Sequence, residues 1–393
     1  MSGNGLVPLP VGMDTSAVRW LNNSAALRTI LTLQSPVTLA QLTTATSLSR
    51  RTVESILDEL IRSKWVEELE SRSASGGAGR PSRWFAVKPD NALIAALRID
   101  TFWATAMISD ALGTELGHAR LELPDYFDPD SSLATAAEAL RLAIADSGLP
   151  AERLRGGALA TGGAVEADGV IRHIIRAPRW SGFDARGALS RYFDVPWFVD
   201  NDANLAALAE HWAGSAQDID SFVWLIFGNR SGAGILIKGE IYSGFRGAAG
   251  EIVEASTIDS ESYSEHPIAW LTSPRSEQRA RALELVAEAR SGNLDALAQI
   301  DEFIADVTPM VVTIAWTIAP PLIVLGGGLE DAADLLLPRL AASIRDGRAP
   351  DIALAATQLG REAPLRGATK LALNRLDAVL FGPTVTGVRE ARS

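Results

Sequence analysis

Apolar positions recur at intervals of three and four in the first part of the chain. Leu27, Ile30 and Leu31 fall on one face of a short helix. Ser24 suits its N-cap, and Ser35-Pro36 ends it, because proline cannot continue the hydrogen-bond ladder. A second short helix is expected from Thr38, turning Leu39 and Leu42 inward. Ser47-Leu48-Ser49 follows, with Ser49 as N-cap of a third helix whose apolar stripe is Val53, Ile56, Leu57, Leu60 and Ile61. The opposite face at its N-terminal end shows Arg50, Arg51, Thr52 and Ser55. Trp65-Val66 and Trp84-Phe85-Ala86-Val87 read as two short strands. From Ala92 onward, strand-like runs alternate with Ala/Leu-rich helical patterns, which indicates an α/β domain. The longest apolar run, Val307 to Leu325, is interrupted by Pro309 and broken by Pro320-Pro321. It predicts a buried helix, a turn and the strand Leu322–Leu325. A membrane span is the weaker reading, because the double proline stops the helix short of bilayer thickness.

At 393 residues the chain exceeds what one core supports, so two or more domains are expected. The stretch SRSASGGAGRPSRWFAVK, residues 71–88, is rich in Gly and Ser and has no acidic residue, as a linker or mobile loop would. The predicted division is a disordered tail at 1–18, a first domain at 19–89 and a second at 90–393, itself split into two lobes near 203–220. The net charge is −12, so nucleic acid can be met only through a local basic patch. The absence of cysteine excludes disulfides, thiolate zinc sites, iron–sulfur clusters and cysteine nucleophiles. It fits a reducing compartment. The N-terminus shows no basic stretch followed by an apolar core, so no secretory signal is expected and the location predicted is cytoplasmic.

Three short helices, the last opening with arginines and hydroxyls, fit a helix-turn-helix. Its recognition helix presents its first turn to base edges, where Arg pairs bidentately with guanine. Two strands joined by a basic loop then make a wing, with Gly79-Arg80-Pro81 suited to a narrow minor groove. The candidate DNA contacts are Ser49, Arg50, Arg51, Thr52, Ser55, Arg80 and Arg83. The other reading of these residues is a protein–protein module with a solvated loop. The run Ala40-Gln41-Leu42 through Leu48-Ser49-Arg50-Arg51-Thr52-Val53, then Leu57-x-x-Leu60 and Gly79-Arg80-Pro81-Ser82, resembles the winged helix-turn-helix of ROK-family transcriptional regulators (repressor, open reading frame, kinase).

Asp200-Asn201-Asp202-Ala203-Asn204 follows the strand pattern Trp197-Phe198-Val199 and precedes the helical run Leu205 to Trp212. Ligands of α/β sheets bind at such strand ends. Asp202 can take a proton from a hydroxyl and Asn201 can hold another. The same residue types are also preferred helix caps, and both readings stay open. Gly247-Ala248-Ala249-Gly250-Glu251 ends in a carboxylate fit for vicinal hydroxyls or for a helix start. Gly326-Gly327-Gly328 between a strand and a helix accommodates a nucleotide or merely a tight turn.

Together these segments resemble the ROK domain, a branch of the actin/sugar-kinase fold. The resemblance implies an α/β architecture: an N-terminal winged helix-turn-helix followed by a two-lobed sugar-kinase-like domain. It implies effector contacts at Asn201, Asp202, Glu251, Glu254 and Gly162, with Asp202 matching the family's base. Departures accompany the matches. The family's kinases open the domain with Asp-x-Gly-Gly-Thr, whereas this chain reads Asp100-Thr101-Phe102-Trp103, and side chains there obstruct the close approach of phosphate. Arg230 stands where the family usually has glycine. The family's zinc ligands are absent: Glu254 replaces a His, no Cys exists, and His266 reads as a surface residue. No catalytic residue, cofactor or metal is therefore expected. The expected protein is a DNA-binding regulator, a repressor, partnered by double-stranded operator DNA and by a sugar or sugar derivative, and acting as a homodimer or dimer of dimers. The alternatives are an active ATP-dependent sugar kinase with an appended regulatory domain and a ligand-independent regulator.

Overall fold

In the computed structural model the described residues are 15–33, 36–69, 82–174, 177–228, 230–252, 264–346 and 351–381. Described residues up to 92 form one compact unit with 375–381, and residues 93–374 form the other.

The smaller unit opens with α1 (Thr15–Thr32). This helix starts nine residues ahead of Ser24, which is therefore no cap. Its hydroxyl instead donates to the Trp20 carbonyl one turn back, and Thr15–Val18 belong to a helix rather than to a tail. The helix α2 (Leu39–Thr46) is closed by a capping box, in which Thr38 and Gln41 satisfy each other's backbone N–H groups. Ser47 takes a left-handed conformation to turn the chain into α3 (Arg50–Arg62), capped by Ser49. Val53, Ile56, Leu57 and Leu60 line the buried face of α3 against Leu27, Ile30 and Leu42. The strand β1 (Val37–Thr38) joins β2 (Val66–Leu69) and β3 (Trp84–Val87) in an antiparallel sheet of order β1-β3-β2. That makes a winged helix-turn-helix. Residues 70–81 of the wing, Arg80 among them, lie outside the described residues.

The larger unit contains two five-stranded sheets. In the first, β4 (Leu93–Ile99), β5 (Trp103–Ser109) and β6 (Glu115–Glu122) form an antiparallel meander. After α4 (Pro129–Asp146), β7 (Leu154–Thr161) returns parallel to β4. The small strands β8 (Ala164–Val165), β9 (Val170–His173) and β10 (Phe183–Asp184) and the helix α5 (Ala185–Ser190) then lead to β11 (Trp197–Asn201), parallel to β7. The chain crosses through α6 (Asp202–Ala213) to β12 (Phe222–Ile226), β13 (Gly232–Ile237) and β14 (Glu240–Ile241), a second meander. The helices α7 (Ser276–Arg290) and α8 (Leu294–Thr317) precede β15 (Leu322–Leu325), and α9 (Ala333–Asp346) precedes β16 (Ala353–Ala356). β15 and β16 run parallel to β12. The last helix, α10 (Ala363–Phe381), begins in the larger unit and ends in the smaller, where Asp377 pairs with Arg28 at 2.7 Å.

The sheet orders are β6-β5-β4-β7-β11 and β14-β13-β12-β15-β16. Each is a three-strand meander extended by two parallel strands, so one plan occurs twice. In both, the loops at the carboxyl ends of the parallel strands open on the cleft between the halves, as strand-end ligand sites do. The helix α6 lies close on the second sheet because Gly234 leaves room for the Ala203 carbonyl, which a Cβ there would strike. Its other end is fastened by the fully buried Glu210, which accepts hydrogen bonds from Thr357 Oγ1 and from Ser215 N at 2.7 Å.

Candidate functional site

The cleft holds a cavity of about 580 Å³ lined by Gly162, Asn201, Asp202, Glu251 and Tyr126, among others. Its volume lies within the range of small-molecule sites. Both readings of the Asn201 cluster are realised at once. Asn201 Oδ1 caps α6 by accepting from Ala203 N and Asn204 N, while its Nδ2 donates to Gly163 O and Glu251 Oε1, each at 3.0 Å. The cap fixes the side chain, and the fixed amide holds Glu251 in the cavity wall. Trp180 is buried below, its Nε1 donating to Tyr126 O at 2.8 Å. Burial pushes the Tyr126 phenol up to about 12, so it stays a neutral hydroxyl beside the cavity. Glu254 lies outside the described residues.

Asp202 begins α6 and forms an ion pair with Arg230 from the β12–β13 loop, and Arg98 Nη2 stands 3.9 Å away. Burial opposes the charge on Arg230, but the Asp202 and Asp100 carboxylates outweigh it and hold the guanidinium above its ordinary pKa. The pair is made through Oδ2, and it sets the Arg230 guanidinium directly beside the carboxylate at the cavity wall.

The first phosphate loop of a kinase corresponds to the β4–β5 turn. Here Asp100 Oδ1 accepts from both Phe102 N and Trp103 N at 3.0 Å, so the turn's own carboxylate takes the N–H groups that phosphate would need. The two rings are held by arginines, Phe102 under Arg275 in the cavity wall and Trp103 under Arg120. At the third loop, Arg361 Nη1 donates to Gly327 O at 3.1 Å, and its guanidinium occupies the space beside Gly328. The residues present do not fit a nucleotide triphosphate held in the kinase manner. Among the described residues no cluster of His, Asp and Glu is arranged to hold a metal ion. His266 is half-buried rather than on the surface. It stacks on Phe303 and caps the turn Pro267–Thr272 by accepting from Ile268 N.

In the smaller unit, Arg51 and Ser55 are exposed at the start of α3. Arg50 makes an exposed pair with Glu54 at 3.1 Å. The Ser49 hydroxyl caps Thr52 N and also contacts Thr52 Oγ1, so both hydroxyls already have local partners. Arg83 is held by Glu68 through two bonds of 2.6 and 2.7 Å, and its charge is matched within the wing sheet.

The ROK family profile matches residues 115–257 and 260–375, more than half of the chain. The chain belongs to the ROK family. The xylose repressor of Caldicellulosiruptor bescii is 23% identical over 237 residues, which cover 60% of this chain and 58% of that protein. The chain thus spans under two thirds of the length of this curated relative. Among solved structures, a ROK family transcriptional regulator described as a homolog of the E. coli MLC protein shares the fold with a TM-score of 0.69 at 19% identity, over 93% of this chain and 99% of that one. A ROK family glucokinase from Streptomyces griseus gives a TM-score of 0.59 at 20% identity, over 72% of this chain and 99% of that one. The regulator's match is long enough to take in part of the winged unit as well as the kinase-like fold. No described helix is long and apolar enough to cross a membrane.

Proposed function

We propose that this ROK protein is a DNA-binding transcriptional repressor whose kinase-like domain holds a sugar or sugar derivative and transfers no phosphate. One observation carries the reading: the carboxylate in the position of the family's base is closed into an ion pair with Arg230. Phosphoryl transfer needs that group free and a nucleotide held in line. The exposed arginines at the head of α3 supply the DNA-facing side, and the relative named as a xylose repressor agrees with it.

The division of labour follows the two units. The winged unit, through Arg51, Arg50, Ser55 and the wing carrying Arg80, reads operator DNA, and a homodimer reads two half-sites. A protein that reads operator DNA works where that DNA is, and the cytoplasm is the location proposed. The effector lies against Asn201, Glu251 and Gly162. It changes DNA affinity only by binding one arrangement of the cleft better than the other.

The test is a gel-shift and footprinting series with genomic fragments, run beside a coupled assay for ATP-dependent phosphorylation of pentoses and hexoses. Sequence-preferring binding without turnover is the expected result. Turnover of any sugar, or binding with no sequence preference, would overturn the reading. Thermal unfolding with xylose and related sugars then separates an effector-responsive regulator from one that ignores ligands, since a ligand of the native state raises its stability.

A further inference from the structure

Beside the effector cavity lies a second one of about 290 Å³, whose lining includes five arginines (Arg98, Arg120, Arg230, Arg279 and Arg361) against three carboxylates (Asp100, Asp202 and Glu362). The five guanidinium groups come from five separate elements. Arg98 on β4, Thr105 on β5 and Arg120 on β6 are direct cross-strand neighbours, so strand alternation turns them to one face of the first sheet. Arg279 comes from α7, Arg361 from the turn before α10, and Arg230 from the β12–β13 loop.

Only part of this charge is matched. Asp202 takes Arg230, and Asp331 lies 3.2 Å from Arg361. Asp100 spends an oxygen on its own turn. No carboxylate stands within ion-pair distance of Arg120 or Arg279 among the described residues. Arg120 rests on the Trp103 ring at 4.1 Å, and Arg279 Nη1 reaches the Ser273 and Pro274 carbonyls. Arg98 donates to Arg361 O at 2.9 Å, yet its Nε is buried without a hydrogen-bond partner. Burial and the neighbouring Arg230 both work against the charge of Arg98, and burial and Arg361 against that of Arg279. Like charges gathered in a half-enclosed space are costly unless an anion neutralises them.

We propose that this cavity binds a small phosphate-bearing anion through the side chains of Arg98, Arg120 and Arg279. A phosphate group carries close to two negative charges and several strong acceptor oxygens, which suits three converging guanidinium forks better than a single carboxylate does. The chemistry differs from a kinase's glycine loops, because here side chains rather than backbone amides meet the anion. The cavity lies inside the larger unit and is too narrow for a DNA backbone. The site stands apart from the regulatory reading, since neither DNA binding nor turnover enters its test.

The experiment is thermal unfolding of the full chain against inorganic phosphate, with chloride at matched ionic strength as the reference. A saturable rise in Tm is expected. Arg120→Gln and Arg279→Gln should each weaken phosphate affinity by about tenfold or more, the scale of a lost charge-assisted hydrogen bond. Both variants should keep the parent's far-UV spectrum, and the phosphate shift of each is read against its own Tm without phosphate. Arg191→Gln, exposed outside the cavity, should bind as the parent does. A hexose phosphate distinguishes the source of the group. Binding about tenfold tighter than the free ion, with the surplus lost in Asn201→Ala, assigns a phosphorylated sugar reaching across both cavities, and equal affinity assigns the free ion. A rise no greater than with chloride, or one equal in all three arginine variants, overturns the proposal.

Discussion

Asp202 sits where the dipole of α6 favours a negative charge, and Arg230 and Arg98 share it from the other side. Replacing Arg230 by alanine should lower stability by about 1–3 kcal/mol, less than the about 3–5 kcal/mol of a fully buried broken pair, because Arg98 remains in reach. Urea unfolding measures the loss, and the coupled assay should still record no phosphate transfer. His266 offers a second measurement. Burial against Phe303 lowers its pKa, outweighing the pull of Glu302 and Asp306. The unfolded chain therefore takes the proton first as pH falls. The contribution is complete above about pH 6.5 and is lost on descending through the lower folded value. Protonation also removes the Nδ1 acceptor from Ile268 N. Tm should drop between pH 7.5 and 5.5, with a shallower slope in His266→Asn, which keeps an acceptor and does not titrate. Arg230 and the Phe102-Trp103 pair could be read from the sequence as misfits in loops that need glycine. The engagement of Asp100 with its own turn could not, because a side-chain-to-backbone bond inside a hairpin leaves no trace in spacing. Arg98, Arg120, Arg279 and Arg361 were equally hidden, being scattered over more than 260 positions and brought together only by folding.

At the scale of elements, the helix-turn-helix was the most legible part. Thr38 and Ser49 are caps that also act as boundaries, and the stripe from Val53 to Leu60 is the face that packs. The first helix was misread because Asn22, Asn23 and the exposed Trp20 break any apolar stripe ahead of Ser24, so its first turns carry little periodic signal. The two-residue strand β1 was missed for want of length. Pairing across the sheets depends on distant partners, which is why the repeated plan of the larger unit escaped the linear reading. The seat of α6 on the second sheet gives a direct test. Gly234→Ala should cost about 1–3 kcal/mol through overpacking against the Ala203 carbonyl, read by chemical denaturation. The same change should weaken any ligand that contacts Asp202, since the displaced carbonyl belongs to the next residue.

At the scale of the molecule, an acidic chain carries the arginines proposed to read DNA at the head of one short helix. Arg51→Ala should cost about 1–3 kcal/mol of operator binding if the side chain reaches a base edge, with relaxed preference at that position in gel shifts. Arg50→Ala should cost less, because Glu54 already holds that guanidinium.

The doubled strand order bears on the proposed lack of turnover. A nucleotide gripped in the kinase manner would draw on both copies of the plan, and each copy carries its own obstacle: a self-capped aromatic turn in one, a lodged arginine in the other. On that reading the two obstacles are independent, and clearing one by a single substitution leaves the other in place.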